Sequence, residues 1–381
     1  MHHSALAATP SVSADPAPRA EAQLAVEAAK ARAFGKAFVA AVLDSLGRTL
    51  CAAPTVARTI ETWPGDLASA GVIFRLTAGL HALARSQQFP MLHALYRDAG
   101  AATVPDPVQF DLAVTQALVL GEDALLAWLR GPTQTNEVAR IAGLAAVLAD
   151  LSAAQPLPCR ILELGSSAGL NLNLAHYAIT VGAVELGKTG SAVRIAPRWS
   201  GPSPAAGPVM IAGARGVDLC PLDVAHPGDA DRLHAYVWPG ERARTQRLGA
   251  AIALARRHRP RVDAASAAAW LEQQLESPQL AGERRVVFHA MTLQYMPPAD
   301  RARIDRLLAD AGAQASPARP LARVAIEWNA ARSDVEVLVT CWDGRPQDGT
   351  TTLAARCHPY AEWFDWIGLG RASPTRDEPG N

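Results

Sequence analysis

The sequence predicts an α/β protein, with an N-terminal helical domain followed by a Rossmann-like, mostly parallel seven-stranded sheet that closes in a reversed C-terminal hairpin. Three observations carry that expectation. From residue 21 to about 153, apolar residues recur at three- and four-residue spacing, and no strand-like run interrupts them. After Gln155-Pro156-Leu157-Pro158, short apolar runs alternate with amphipathic stretches, which is the grammar of parallel strands joined by helices. The last two strand-like runs are separated by only a loop, too short for a crossover, so they are expected to pair antiparallel.

Taken in order, residues 1–20 are rich in Ala, Pro and Ser and are expected to form a disordered tail, as are residues 371–381. The helical domain, 21–155, contains "FGKAFVAAVLDSLGRTL", "GVIFRLTAGLHALARS", "FDLAVTQALVLGEDALLAWLRG" and "NEVARIAGLAAVLADLSAA", punctuated by prolines at 54, 64, 90, 105, 107 and 132. The α/β domain, 156–370, opens with the strand "CRILEL" and a Gly/Ser turn leading into a helix "AGLNLNLAHYA". A polar, proline-rich insertion with possible short strands ("AVRIAPRW", "PVMIA") precedes the strand "GVDLC" and its helix "ERARTQRLGAAIALARRH". "PRVDA" is a third strand with helix "SAAAWLEQQLE", "RRVVFHAM" a fourth with helix "ADRARIDRLLADAG", and "LARVAIEWN" a fifth. "DVEVLVTCWDG" and "TTLAARCHP" form the final pair, and Trp363, Phe364 and Trp366 beyond them are expected to pack at the sheet edge.

Composition narrows the function. The balance of 36 basic and 36 acidic residues leaves no global field to draw nucleic acid or an anionic membrane. The five cysteines show no C-x-x-C spacing, so neither a metal site nor a disulfide framework is expected. No run approaches the ~20 apolar residues of a membrane-spanning helix, and the N-terminus has no signal-type apolar core, so the expectation is a soluble cytoplasmic protein.

The chemistry turns on "ILELGSSAGLNLNL", residues 161–174. Gly165-Ser166-Ser167-Ala168-Gly169 spells G-x-S-x-G, the turn that presents a hydrolase's serine, and Asp343 and His358 follow Ser167 in the order such a triad requires. That fold, however, needs strands before its elbow to build an oxyanion hole, and everything before residue 159 reads helical. Read from Glu163, the same residues form a strand-to-helix turn where glycines let a nucleotide-like ligand meet bare backbone, and the amides opening the helix attract negative charge. Ligands sit in that crevice of an open α/β sheet. Asp218, ending the second strand, is placed to hold ribose hydroxyls, and Asp263, ending the third, to meet an adenine amino group. Asp218 lies farther from the turn than the roughly 20 residues usual in dinucleotide folds, a gap the 180–214 insertion accounts for.

Ordered along the chain, E-L-G-S-S-A-G, G-V-D-L, V-D-A and F-H-A-M resemble the motifs of class I S-adenosylmethionine-dependent methyltransferases. Nearly the whole chain also resembles an uncharacterised bacterial family, domain of unknown function 2332, through "TQTNEVAR", "LELGSSAGLNL", "RGVDLCPLDV", "VVFHAMTLQYMPP" and "HPYAEWFDWIG". The resemblance implies a methyltransferase-like fold with S-adenosylmethionine as cofactor, bound through Glu163, Gly165, Ser166, Ser167, Gly169, Asp218 and Asp263. His289, Glu327 and Tyr295 are then candidates for the acceptor side. Asn136 and Glu137 are candidates too, in a helical lid that also carries Arg140. The acceptor is expected to be a small molecule. The alternatives are a serine hydrolase using Ser167 and a non-catalytic ligand-binding or interaction protein with the same fold.

Overall fold

The computed structural model describes residues 18–101, 104–345 and 348–370, which it divides into two units, Met1–Arg130 and Gly131–Asn381. The first holds seven α-helices among the described residues: α1 (Arg19–Ala33), α2 (Ala37–Thr49), α3 (Pro54–Glu61), α4 (Val72–Arg85), α5 (Pro90–Arg97), α6 (Pro107–Leu120) and α7 (Glu122–Arg130). Pro54, Pro90 and Pro107 each open a helix, where the missing N–H costs nothing because it would have had no intrahelical partner. α1 and α3 borrow an acid as their cap: Glu61 accepts from the amides of Arg19 and Ala20 at 3.0 and 2.8 Å, and Glu122 from those of Thr55 and Val56 at 2.7 and 3.2 Å. Phe38, Tyr96 and Phe110 meet ring to ring between α2, α5 and α6. Residues 1–17 and 371–381 of the expected tails lie outside the described residues, and the first helix already begins at Arg19.

The second unit begins before the expected boundary near residue 155. Helix α8 (Ile141–Ala154) is buried at every position from Ile141 to Ala149. A helix apolar all round has to lie inside a core. Gly143 shows what it lies against, since a Cβ there would come within 2.9 Å of Ile326 and 3.0 Å of Phe364. The strands that follow are β1 (Cys159–Leu164), β2 (Ala178–Val181), β3 (Val184–Gly187), β4 (Arg194–Ile195), β5 (Arg198–Ser200) and β6 (Ile211–Asp218). Then come α9 (Pro227–Ala235), α10 (Arg242–Arg257), β7 (Val262–Ala264), α11 (Ala267–Glu276), β8 (Arg284–Ala290), α12 (Pro298–Gly312), β9 (Leu321–Trp328), β10 (Val335–Trp342), β11 (Thr351–Cys357) and β12 (Trp363–Trp366).

The large sheet runs β5-β12-β11-β10-β9-β8-β1-β6-β7, and β3-β2-β4 form a small second sheet. From β9 to β7 all neighbours are parallel, whereas β9, β10, β11 and β12 form an antiparallel meander, so the final hairpin is reversed as expected. The strand count corrects the expectation: the large sheet has nine strands, not seven. The two extra are β12 and β5, paired in parallel, with Phe364 stacked on Trp199 and Trp366 tilted against it. In "WFDW" Phe364 and Trp366 are buried and Asp365 between them is exposed, the two-residue period of a half-buried strand.

A second correction concerns the element after the glycine turn. It is a seven-residue 3-10 helix, Leu170–His176, and not an α-helix. Leu170 to Leu174 are all buried, so the two asparagines among them need polar partners inside the protein. Asn171 donates to Glu163 and Asn173 to the carbonyl of His258, at 2.8 and 3.0 Å.

Candidate functional site

β1 is the middle strand of the parallel part of the sheet, between β6 and β8, with Glu163 opposite Gly216 and Phe288. The chain then turns sharply, with Gly165, Ser167 and Gly169 all left-handed at φ +71°, +54° and +69°. Glycine tolerates that region and serine does not without cost, so Ser167 is held there by its bonds. Its amide donates to Asp218 Oδ2 at 2.8 Å, and its hydroxyl bonds to Gln134 Oε1. The amides of Gly165 and Ser166 both donate to the carbonyl of Val217, at 2.9 and 3.0 Å. Gly216 makes that approach possible, because a Cβ there would sit 1.9 Å from Ser166 Oγ.

The negative charge expected at the turn amides is therefore supplied from within, by Asp218. Its other oxygen accepts from Cys220 N at 2.9 Å and Gln134 Nε2 at 3.3 Å. Gln134 also donates to the Cys220 carbonyl at 2.9 Å, and Asn136 Nδ2 to the Ser166 carbonyl at 2.8 Å, so the segment preceding α8 lies on the turn. On the other side Thr292 fills the space beside Gly165, where a Cβ would be 2.4 Å from its methyl.

Thr292 is held from β9. Glu327 Oε1 accepts from the amides of Thr292 and Leu293 at 3.0 and 3.3 Å and from His289 Nδ1 at 2.8 Å. The other ring nitrogen of His289 accepts from Arg323 Nε at 3.0 Å, which makes the imidazole neutral, and burial holds its pKa below the ordinary value. His289 is fully buried with both nitrogens engaged, and Tyr295, in the following 3-10 turn, is 40% exposed.

Beneath the turn lies the least satisfied group in the site. Glu163 is 2% exposed, and burial pushes its carboxyl up to about 8, so it is largely protonated at neutral pH. Oε1 accepts from Asn171, but Oε2 and the Asn171 carbonyl oxygen are buried without partners, as are Thr135 Oγ1 and Asn136 Oδ1. Clusters of this kind call for an explanation, since buried polar atoms are nearly always paired.

The remaining predicted residues fall elsewhere. Asp263 accepts from Arg215 Nε and Trp270 Nε1, both at 2.6 Å, and the arginine holds its carboxyl below the usual range. Glu137 is buried in an ion pair with Arg244 at 2.7 Å, with Arg247 at 3.3 Å on its other oxygen and the Ala139 amide at 3.1 Å. Sequence reasoning passed over Gln134, Asn171, Gly216 and Thr292. Asn171 carried a legible signal, a polar residue in an apolar run, and Gln134 lay inside a polar run already singled out. Thr292 carried none.

The chain belongs to the bacterial family described as "Uncharacterized protein conserved in bacteria (DUF2332)", whose match spans residues 21–366. No curated protein matches the chain. Among the described residues no single helix is long and apolar enough to cross a membrane.

Proposed function

We propose that this chain binds S-adenosylmethionine on the turn after β1 and transfers its methyl group to a small-molecule acceptor. The observation that carries the reading is the pair of unpartnered buried atoms, Glu163 Oε2 and Asn171 Oδ1, at the carboxyl end of β1. A protonated carboxyl offers a hydrogen and the amide oxygen accepts one, so together they can hold a ligand's polar group. Two further features support it. The order β7-β6-β1-β8-β9 supports a Rossmann-like reading, since the direction of winding reverses between β1 and β8, where ligands of open α/β sheets bind. Three left-handed residues within five keep the turn's backbone close to whatever rests on it.

The donor and acceptor groups at the turn would suit this cofactor with the segment on the turn displaced. Glu163, Asn171 and Asp218 would hold it, Asp218 by exchanging its longest bond, 3.3 Å to Gln134, for a ribose hydroxyl. When bound, the cofactor supplies an electrophilic methyl group. The chain's contribution is to orient it and exclude water. His289 and Glu327 act as positioning residues, since their bonds fix the Thr292 loop against the turn.

Calorimetric titration with S-adenosylmethionine and its demethylated product tests the proposal. Saturable binding is expected, weakened at least about tenfold, or about 1.4 kcal/mol, in Asp218→Ala. Gln134→Ala, which uncovers the turn, is expected to tighten it. Wild-type binding no tighter than millimolar, together with no gain in Gln134→Ala, would overturn the assignment.

A further inference from the structure

Arg140 is 6% exposed, and its Nε donates to the Pro359 carbonyl at 2.9 Å. Its two terminal nitrogens make no hydrogen bond among the described residues. The charges around it do not balance. Arg244 is paired through Nε to Glu137 and through Nη1 to Glu241, at 2.7 and 2.6 Å, and its guanidinium lies 3.9 Å from the Tyr360 ring centroid. Arg247 reaches Glu137 at 3.3 Å, and its Nε is buried without a partner. Three guanidinium groups thus face two carboxylates, and Arg140 is the one that no carboxylate hydrogen-bonds. Arg140 feels the Glu137 charge without a hydrogen bond to it, and a buried guanidinium so weakly compensated is costly unless an anion completes it.

Tyr360 directly follows Pro359, whose carbonyl Arg140 Nε reaches at 2.9 Å, and its ring lies 3.9 Å from the Arg244 guanidinium. Burial pushes that phenol well above its ordinary value, so it remains a hydrogen-bond donor at neutral pH. Two parallel N–H groups of a guanidinium match the two oxygens of a carboxylate. One excess positive charge calls for one negative charge, and Glu137 and Glu241 nearby would repel a dianion.

We propose that Arg140, with the hydroxyl of Tyr360, binds the carboxylate of a small-molecule ligand. Resting on the methyltransferase reading, that ligand is the methyl acceptor, which makes the substrate class a carboxylic acid. Arg140 lies on the 3-10 turn Val138–Arg140, which directly follows the segment bonded to the glycine turn through Asn136 and Gln134. One continuous stretch of chain therefore reaches both the cofactor turn and the anion site.

The test uses the full-length protein without S-adenosylmethionine, so its outcome is separate from that of the cofactor titration. Trp238 packs edge-on against Tyr360 with ring centroids 5.0 Å apart, which makes tryptophan fluorescence a local reporter, with calorimetry as a check. Acetate, neutral acetamide and inorganic phosphate are titrated at constant ionic strength. Acetate is expected to give a saturable response and acetamide none, with phosphate weaker than acetate. Arg140→Gln should weaken acetate at least about tenfold and Arg140→Lys about threefold. Tyr360→Phe keeps the ring over Arg244 and should weaken it about threefold, which keeps the proposal testable if the arginine variants do not fold. The absence of an acetate response at about 0.1 M, an equal response to acetamide, tighter binding of phosphate, or acetate affinity unchanged in Tyr360→Phe would each overturn it.

Discussion

Replacing Glu163 with glutamine tests whether a neutral acid lies beneath the glycine turn. Burial raises this carboxyl from 4.5 to about 8, with the Asp218 charge adding to the rise and the bond from Asn171 opposing it. A carboxyl raised in this way keeps its proton in the folded protein after the unfolded chain has released it. Its contribution to stability is therefore full below the unfolded value and is lost as pH rises through the folded one. At about 1.4 kcal/mol per unit, the rise corresponds to about 5 kcal/mol lost between roughly pH 4.5 and pH 8. Solvent screening takes little from this, because the residue is 2% exposed. Glutamine cannot ionise, so the variant lacks this pH slope, and its main cost is an added buried donor without a partner, about 1–3 kcal/mol. Urea unfolding followed by tryptophan fluorescence, at about pH 5 and about pH 8.5, measures both terms. The variant should be the less stable protein at the lower pH and gain on wild type by several kcal/mol at the higher. A difference between the two proteins that stays constant with pH to within about 0.5 kcal/mol would refute the reasoning, because the carboxyl would then ionise in the fold much as it does in the unfolded chain.

Two further predictions concern the buried charges and the serine. Glu137→Gln removes one of the two carboxylates that pair with Arg244, whose side chain is 5% exposed, and the one that Arg247 reaches, and should cost about 3 kcal/mol in urea unfolding. Arg244→Met should cost more than Glu137→Gln, because it takes the partner from both Glu137 and Glu241, and an Arg244→Met variant as stable as wild type would refute the pairing. The arginines hold Glu137 below its ordinary value, so wild type should lose this contribution only as pH falls below about 4.5, while Glu137→Gln lacks that loss. Ser167 bonds to Gln134 and not to a histidine, so a fluorophosphonate probe should leave it unlabelled. Stoichiometric labelling that disappears in Ser167→Ala would favour the hydrolase instead.

The sequence alone was sufficient for the helical first unit, the strand "CRILEL" with its turn, and the alternation from β6 to β9, because each rests on local periodicity, turn residues and prolines. It could not fix the strand count. β12 is four residues long and β5 three, and strands that short become recognisable only through the partners they find. Nor could it assign α8 to its unit, because a helix apolar on every side reads the same whichever core buries it. At the site, Glu163, the glycines and Asp218 were legible as residue types in an ordered pattern. How their bonds are used was decided by tertiary structure: Asp218 serves the Ser167 amide, His289 is saturated by Glu327 and Arg323, and Thr292 covers Gly165. Glu163 and Asn171 meet eight residues apart in sequence, but Gln134 and Asp218 are 84 apart and Arg140 and Pro359 are 219 apart. Sequence determines which groups can bond and how each local segment turns. Long-range packing decides which donors and acceptors are satisfied and which are left over, because that depends on every segment that reaches the same point in space.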